Sequence, residues 1–132
     1  TGSLCLDMIL GVGIDIVNVC RIERLLENWG DRFKKRVFSE REIYNSQRYK
    51  RSSERFAANF AVKEAFFKAI GGSLKNNIRM VDIEVLRDEY GKPYINSYGR
   101  AKYVLEMMNI YAVHVSISHD GDYATAIVVL ER

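Results

Sequence analysis

The sequence contains little cysteine, histidine and proline, and it has no long apolar run. Among its 132 residues there are two cysteines, two histidines and one proline. Two cysteines cannot build a disulfide framework, and so few cysteines and histidines cannot easily supply a zinc site. No apolar run approaches the roughly 20 residues that span a bilayer, and the opening residues show no signal-peptide pattern. We therefore expect a protein of the reducing cytoplasm with no membrane partner.

The composition is that of one ordinary globular domain. Hydrophobic residues make up 48% of the chain and charged residues 28%, and the length is sufficient for a single core. We predict one domain over residues 8–132. Residues 1–7 match no helix or strand pattern, and we expect them to be a remnant of the expression vector or a disordered extension.

Positive charge is concentrated in the first half of the chain. The net charge is +3, but residues 16–55 contain eleven lysines or arginines against six acidic residues, an excess of five, and the remainder sums to −2. Such a basic surface suits nucleic acid, a phosphorylated ligand or an acidic protein. A solvated basic face without a partner is the alternative.

Residues 56–72, FAANFAVKEAFFKAIGG, predict a helix that is buried on nearly every side. The stretch consists of good helix formers and ends at a glycine pair. Glu64 falls within the apolar stripe, with Lys63 and Lys68 at its edges. A carboxylate in such a place must be compensated. One interpretation is a Glu64–Lys68 ion pair or a surface end of the helix; the other is that Glu64 binds a cation and the lysines meet an anionic substrate.

Residues 8–17, MILGVGIDIV, predict a buried strand. Gly11 and Gly13 leave bare backbone on one face of it, where another element can pack closely. Asp15 shares that face and is either a helix cap or a ligand. Asn18 is the better cap for a helix over 18–28, which leaves Asp15 unexplained. Asp15 and Glu64 together would suit Mg²⁺, which takes one or two protein carboxylates and fills its shell with water and phosphate.

The remaining patterns predict further helices and strands. Helices are expected over 39–48 and 97–108, and strands over 80–87, 92–95, 111–118 and 123–131. Ser39 and Glu42 have the spacing of a capping box, and residues 119–122 that of a hairpin turn. The order is strand, three helices, two strands, helix, two strands. It predicts an α+β fold with an antiparallel sheet packed against the long buried helix.

Groups for nucleophilic catalysis are scarce. Cys5 and Cys20 lie in the loose N-terminal segment and an early helix, and there is no Gly-x-Ser-x-Gly elbow. His114 lies on a strand face, and the simpler interpretation is that it is a satisfied sheet residue, hydrogen-bonded within the sheet, and not a site residue. His119 beside Asp120 at a strand end is the better site candidate.

Three stretches carry a family resemblance. They are GVGIDIV at 11–17, FAVKEAFFKAIG at 60–71 and VSISHDGDYATAIV at 115–128. Together they closely resemble the holo-[acyl-carrier-protein] synthases, the small bacterial 4′-phosphopantetheinyl transferases. The signatures of that family, G-[IV]-D and K-E-A-x-x-K, are present at 13–15 and 63–68, and FSEREI and GKPY also fit. The resemblance runs from Met8 to the C-terminus, and its motifs occur in order.

The resemblance implies a reaction and a set of roles. Coenzyme A would donate 4′-phosphopantetheine to a serine of apo acyl carrier protein with Mg²⁺, releasing adenosine 3′,5′-bisphosphate. Asp15 and Glu64 would be the metal ligands, and Lys68 would lie against the diphosphate. The implied catalytic residues are Asp120, Lys68 and Glu64, with Asp120, Glu64 or a water as the general base. The implied coenzyme-binding residues are Lys63, Lys68, Gly72, Lys92, Pro93 and His119.

The same resemblance implies partners. Acyl carrier protein is acidic, and Arg21, Arg24 and Arg32 with Phe33 would give it a charged rim around an apolar contact. A homotrimer with active sites at subunit boundaries, a place in fatty acid and lipid biosynthesis, and no nucleic-acid partner are also expected. One departure is Asn59, where family members often have an arginine that would contact the coenzyme's phosphates. Arg55, Lys50 and Arg51 are candidate replacements.

Two alternatives stand beside this interpretation. One is the same chemistry on a specialised carrier protein of secondary metabolism. The other is a basic binding module for RNA or an acidic protein, using residues 21–55. That second alternative lacks an RNP-type or KH-type motif and leaves Asp15 and Glu64 unexplained.

Overall fold

The computed structural model describes residues 7–132, so six of the seven residues of the expected N-terminal remnant lie outside the described residues. Its elements, in chain order, are β1 (Ile9–Asn18), α1 (Val19–Trp29), α2 (Asp31–Val37), α3 (Glu40–Gln47), α4 (Ser52–Ile70), β2 (Ile83–Arg87), β3 (Pro93–Ser97), α5 (Gly99–Met107), β4 (Ala112–Asp120) and β5 (Tyr123–Glu131). A single 3₁₀ turn, Met80–Asp82, precedes β2. The predicted α+β class is confirmed.

The strands form two antiparallel sheets, where the sequence predicted one. The larger sheet has the order β1-β5-β4, and β2 pairs only with β3. In the larger sheet Ala126 of β5 lies opposite both Asp15 of β1 and Ile117 of β4. This register places the loop between β4 and β5 at the end of the sheet where α1 begins, and the Val19 amide donates to the Asp122 carbonyl there.

Helix α4 is the buried centre of the fold, as predicted. It begins at Ser52, four residues before the predicted start, and ends where Gly71 takes a φ of 66° and its amide donates to Phe67. Twelve of its nineteen residues are buried, including a continuous run from Phe56 to Lys63. Its burial on nearly all sides explains why the helix carries no clear polar face.

Backbone contact joins β1 to α4. A methyl group built on Gly13 would overlap the Ala65 carbonyl oxygen and lie 2.7 Å from the Ala69 amide nitrogen. A methyl group built on Gly11 would overlap the Ala69 carbonyl. The predicted close approach at these glycines is therefore confirmed, because any larger side chain would push the strand off the helix.

Caps set the beginnings of two early helices. The Asn18 side chain accepts from the Cys20 amide at 2.9 Å, which leaves Asp15 free of a capping role. Ser39 and Glu42 form the predicted capping box, with the Ser39 amide donating to Glu42 at 3.1 Å. Both cap predictions are confirmed.

Helix α2 is not predicted by the sequence patterns, and β2 begins later than predicted. Helix α2 is only seven residues long and turns just Phe33 and Val37 inward, so its apolar signal is a single i, i+4 pair among charges. Strand β2 starts three residues after the predicted Met80 because Met80–Asp82 forms the 3₁₀ turn. A buried lysine on α4 holds that turn, as described below.

Within residues 7–132, none of the helices combines the length and apolar character needed to cross a membrane.

The glycine contact gives a direct stability prediction. Gly13→Ala should lower the free energy of unfolding by about 3 kcal/mol, the upper end of the usual overpacking range, because the colliding atoms are helix backbone and cannot rotate away. Denaturant unfolding of Gly13→Ala and of Ser116→Ala, an exposed residue of β4 in the same sheet, would measure it. Equal stability of the two variants would mean that the strand does not touch the helix.

Candidate active site

Asp15 and Lys68 meet where β1 passes over the end of α4. The Lys68 ammonium donates to Asp15 Oδ1 at 3.0 Å and to the Ile14 carbonyl at 3.1 Å. The Asp15 side chain is largely buried, whereas that of Lys68 is more than half exposed. The predicted alternative of a Glu64–Lys68 ion pair is absent from residues 7–132, since Lys68 pairs with Asp15 instead.

Glu64 lies one helical turn before Lys68 and is half-buried. Burial and the charge of Asp15 raise its pKa, while Lys68, Arg21 and Lys75 act in the opposite direction. Asp15 and three cations therefore lie near enough to Glu64 to act on its charge. The sequence predicts Arg21 on the docking surface and gives no sign of Lys75 beyond its place in the loop that follows α4.

The residues fit a bound Mg²⁺ ion. Asp15 and Glu64 come from different elements, and repulsion from the Asp15 charge adds to the effect of burial in raising the pKa of Glu64. A divalent cation between such carboxylates would relieve that repulsion, and hard oxygen ligands suit Mg²⁺. No group of three or more His, Cys, Asp or Glu positioned for a metal occurs in the described part of the chain. An ion here would complete its shell with water or phosphate.

The prediction that Lys63 binds the coenzyme is wrong. Its side chain is 0% exposed, and its ammonium donates to Glu42 Oε1 at 2.8 Å, to the Met80 carbonyl at 2.7 Å and to the Ile83 carbonyl at 2.6 Å. All three donors are used inside the protein. Adjacent residues on a helix point about 100° apart. Here Lys63 points towards α3 and the turn before β2, whereas Glu64 lies near Asp15.

The Lys63–Glu42 pair is structural. Burial lowers the pKa of Lys63 and raises that of Glu42, and the attraction between the two opposes both shifts. Removing one partner of such a pair typically costs about 3–5 kcal/mol, because the other charge is left unpaired. Lys63 therefore joins α4 both to α3, through Glu42, and to the turn before β2, through the Met80 carbonyl.

The other predicted coenzyme residues are spread over the surface. His119 and Asp120 are the last two residues of β4 and are exposed, so the predicted hairpin turn begins two residues later. Gly72 follows α4 in an exposed loop with a φ of 53°. Lys92 and Pro93 line a surface cavity of about 400 Å³ together with His114.

These residues do not converge within one chain. The Lys92–Pro93 cavity borders β4 at residues 113–115, and His119 lies at least four residues further along the strand, roughly 13 Å at about 3.3 Å per residue. The Nε2 of His114 donates a 2.9 Å hydrogen bond to the Glu131 carboxylate, so its predicted role as a satisfied sheet residue agrees with the structure.

The predicted docking residues lie on α1 and α2. Arg21, Arg24 and Arg32 are exposed. Phe33 is turned inward against Phe38 and Phe60, with ring centroids 5.8 and 6.4 Å away.

The exposed aromatic residue of this surface is Trp29, which is 55% exposed and has the Arg32 guanidinium 5.8 Å from its ring centroid. Trp29, and not Phe33, is therefore the exposed aromatic ring beside Arg32.

Asn59 faces the buried side of α4. It is 1% exposed, donates to Glu42 Oε2 at 3.1 Å and accepts from the Arg87 guanidinium. Of the candidate replacements for a family arginine at this position, Arg51 pairs with Glu54 at 3.2 Å and Arg55 stacks 4.3 Å from the Tyr49 ring centroid.

Comparison with known proteins gives a consistent match. The sequence model of the 4′-phosphopantetheinyl transferase superfamily matches residues 11–128. The chain is 43% identical over 125 residues to the holo-[acyl-carrier-protein] synthase of Geobacter metallireducens, covering 95% of this chain and 99% of that protein. It is 39% identical over 123 residues to the enzyme of the same name from Klebsiella pneumoniae, covering 93% and 98%.

Solved structures match the fold. The holo-[acyl-carrier-protein] synthase of Neisseria meningitidis has a TM-score of 0.80 at 32% identity, covering 95% of this chain and all of that one. A holo-(acyl-carrier-protein) synthase from Bacillus anthracis, in complex with CoA (3′,5′-ADP), has a TM-score of 0.76 at 38% identity, with 94% and 97% covered.

Proposed function

This chain belongs to the holo-[acyl-carrier-protein] synthases of the 4′-phosphopantetheinyl transferase superfamily, and from that premise we propose the reaction in detail. Coenzyme A donates its 4′-phosphopantetheine to a serine hydroxyl of apo acyl carrier protein, and adenosine 3′,5′-bisphosphate leaves. The observation that carries the proposal is the proximity of Asp15, Glu64 and Lys68. Phosphoryl transfer from a diphosphate requires a metal ion, carboxylates that hold it, and a positively charged side chain beside the phosphates.

Asp15 and Glu64 are the residues that would hold Mg²⁺, which when bound neutralises negative charge on the diphosphate oxygens. Lys68 is already fixed by Asp15 and by the Ile14 carbonyl, so its charge stands in place before the coenzyme arrives. Arg21 and Lys75 act on the same volume and would add to the binding of the diphosphate. Gly72 and His119 are proposed to contact the nucleotide end of the coenzyme.

One bond forms and one breaks in the transfer. The serine oxygen bonds to the phosphorus that carries pantetheine, and the bond from that phosphorus to the bridging diphosphate oxygen breaks. The serine proton passes to a carboxylate. Asp120, directly or through a water, is the proposed acceptor, and Glu64 with its raised pKa is the second candidate. No covalent intermediate forms on the enzyme.

The two carboxylates are tested together. Glu64→Gln and Asp15→Asn should each reduce transfer at least a hundredfold, measured by mass spectrometry of apo carrier protein incubated with coenzyme A and Mg²⁺. Because burial and Asp15 raise the pKa of Glu64, its charge at neutral pH destabilises the fold. Glu64→Gln should therefore melt slightly above the wild type in EDTA.

The matched control is Glu106→Gln, an exposed carboxylate on α5, which should keep wild-type activity. Near-normal transfer by either site variant would refute the metal assignment. A carrier protein of fatty acid synthesis and one of secondary metabolism, used side by side, would decide between the two candidate protein substrates.

We propose that the basic surface of α1 and α2 receives the acidic carrier protein. Arg24 and Arg32 are exposed, and the Arg32 guanidinium lies 5.8 Å from the ring centroid of the exposed Trp29, which gives charge beside an apolar contact. According to this proposal, the basic half of the chain binds an acidic protein and not RNA. We place the reaction in the cytoplasm and in fatty acid biosynthesis, a setting in which the exposed free thiol of Cys20 stays reduced.

Charge reversal separates docking from coenzyme binding. Arg24→Glu and Arg32→Glu should each raise the KM for carrier protein about tenfold or more, because a charge that attracts the acidic carrier protein is replaced by one that repels it. The KM for coenzyme A should stay within about twofold, since the coenzyme does not bind this surface. Lys102→Glu on α5, another exposed cation, is the control. Equal effects on both substrates would exclude α1 and α2 as a docking surface.

We also propose that three copies assemble through the outer face of the larger sheet. Val12, Ile14, Ile16 and Ile127 on that face are 36% to 64% exposed, and a contiguous apolar patch of this kind marks an interaction surface. We propose that the active sites lie at the boundaries between copies, with the Lys92–Pro93 cavity of one copy and the Asp15–Glu64 site of another contributing to each.

Sedimentation velocity tests the assembly. The wild type should sediment at about three times the 15.2 kDa of one chain, and Val12→Glu should shift it to smaller species because it places charge in the apolar face. Tyr103→Glu, an exposed aromatic residue on α5, should not. A monomeric wild type would overturn this proposal without affecting the assignment of Asp15 and Glu64.

A further inference from the structure

The apolar outer face of the larger sheet is bordered by polar residues of β4. In that strand Val113 and Val115 pack against the core, so the intervening His114 points to the outer face. Val129 of β5 lies opposite both Val12 of β1 and His114. His114 is therefore two strands, roughly 10 Å, from Val12 in the apolar patch through which we propose that copies assemble.

His114 and Glu131 form a polar pair on this face. The His114 Nε2 donates to the Glu131 carboxylate at 2.9 Å, and the two side chains are 58% and 25% exposed. The hydrogen bond from His114 lowers the pKa of Glu131, burial opposes this shift, and hydrogen bonding with Tyr111 adds to it. Glu131 is therefore ionised at neutral pH. Among residues 7–132 its ion-pair partner is His114 alone, so its charge is balanced when that ring is protonated.

The other charged groups around the pair do not supply that balance. Lys92 and Asp88, from the turn between β2 and β3, line one cavity with His114, and their charges are opposite in sign. On the other side, the charge of Asp7 acts on Tyr111 and raises its pKa, although burial is the larger cause of that shift. The neutral form of His114 therefore leaves this border of the sheet with a net negative charge.

Assembly through the apolar face would take water away from this border. An ionised carboxylate is costly to bury alone, whereas a hydrogen-bonded ion pair carries no net charge and costs less. With His114 protonated, each copy brings a neutral pair to the boundary. With His114 neutral, each copy brings the uncompensated charge of Glu131, and the charges of neighbouring copies repel one another.

We propose that the His114–Glu131 pair makes the assembly of copies depend on pH, with assembly favoured when His114 is protonated. This inference rests on the assembly proposed above. Histidine is the side chain whose charge ordinarily changes between about pH 5 and 8. Because protonation stabilises the assembled form, assembly takes up protons, and its stabilisation is present in mild acid and is lost as the pH rises through the neutral range. With active sites at the boundaries between copies, transfer would decline as the copies separate.

Sedimentation velocity over a concentration series tests the proposal, at about pH 6 and about pH 8.5 and at constant ionic strength. For the wild type, the concentration at half-assembly should be about tenfold higher at the upper pH. His114→Gln is uncharged at both pH values and should assemble equally at both, as weakly as the wild type at the upper pH. Glu131→Gln should reverse the direction, because a protonated His114 then lacks a counter-charge and opposes assembly at the lower pH.

The matched control is His119→Gln, which removes the other of the two histidines in the chain. His119 lies five residues after His114 on β4, so its side chain points to the opposite side of the strand, and this variant should keep the wild-type pH dependence. Equal assembly of the wild type at both pH values, or the wild-type direction in Glu131→Gln, would overturn the proposal. A wild type that is monomeric at both pH values would instead overturn the assembly itself, so the two failures are distinguishable.

Discussion

The fold depends on the contact between the backbone of β1 and the backbone of α4. Gly11 and Gly13 allow the strand to lie against the Ala65 and Ala69 peptide groups, at a distance that any side chain would prevent. Asp15 follows two residues later on the same face, and Lys68 reaches it across the gap. The proximity of the two carboxylates is therefore a consequence of two absent side chains. A larger residue at either glycine would separate the halves of the site.

A second constraint holds the other side of the helix. Lys63 ties α4 to Glu42 of α3 and to the carbonyls of Met80 and Ile83. The adjacent Glu64 points in a different direction and lies near Asp15. One short run of sequence thus supplies both a buried structural ion pair and a functional carboxylate, and the helical rotation of about 100° per residue keeps them apart.

Much of this arrangement could be predicted from the sequence. Short sequence patterns predict the buried helix, the close approach at the glycines, both helix caps and strand β5. Each of these patterns involves residues that are close together in the sequence. The direction of Lys63 was misjudged because a motif was interpreted as a single functional unit. Helix α2 was missed because two inward residues give too weak a period. The proximity of Lys75 and Arg21 to Glu64 depends on how the loop after α4 and helix α1 pack, which no local pattern encodes.

The central claim is that Asp15 and Glu64 form one cation site. A titration with Mn²⁺ in the presence of coenzyme A, followed by the electron paramagnetic resonance signal of the free ion, tests it directly. We predict one tightly held ion per chain in the wild type and loss of that binding in both Asp15→Asn and Glu64→Gln, with Glu106→Gln unchanged. Retention of wild-type affinity in either site variant would contradict the account.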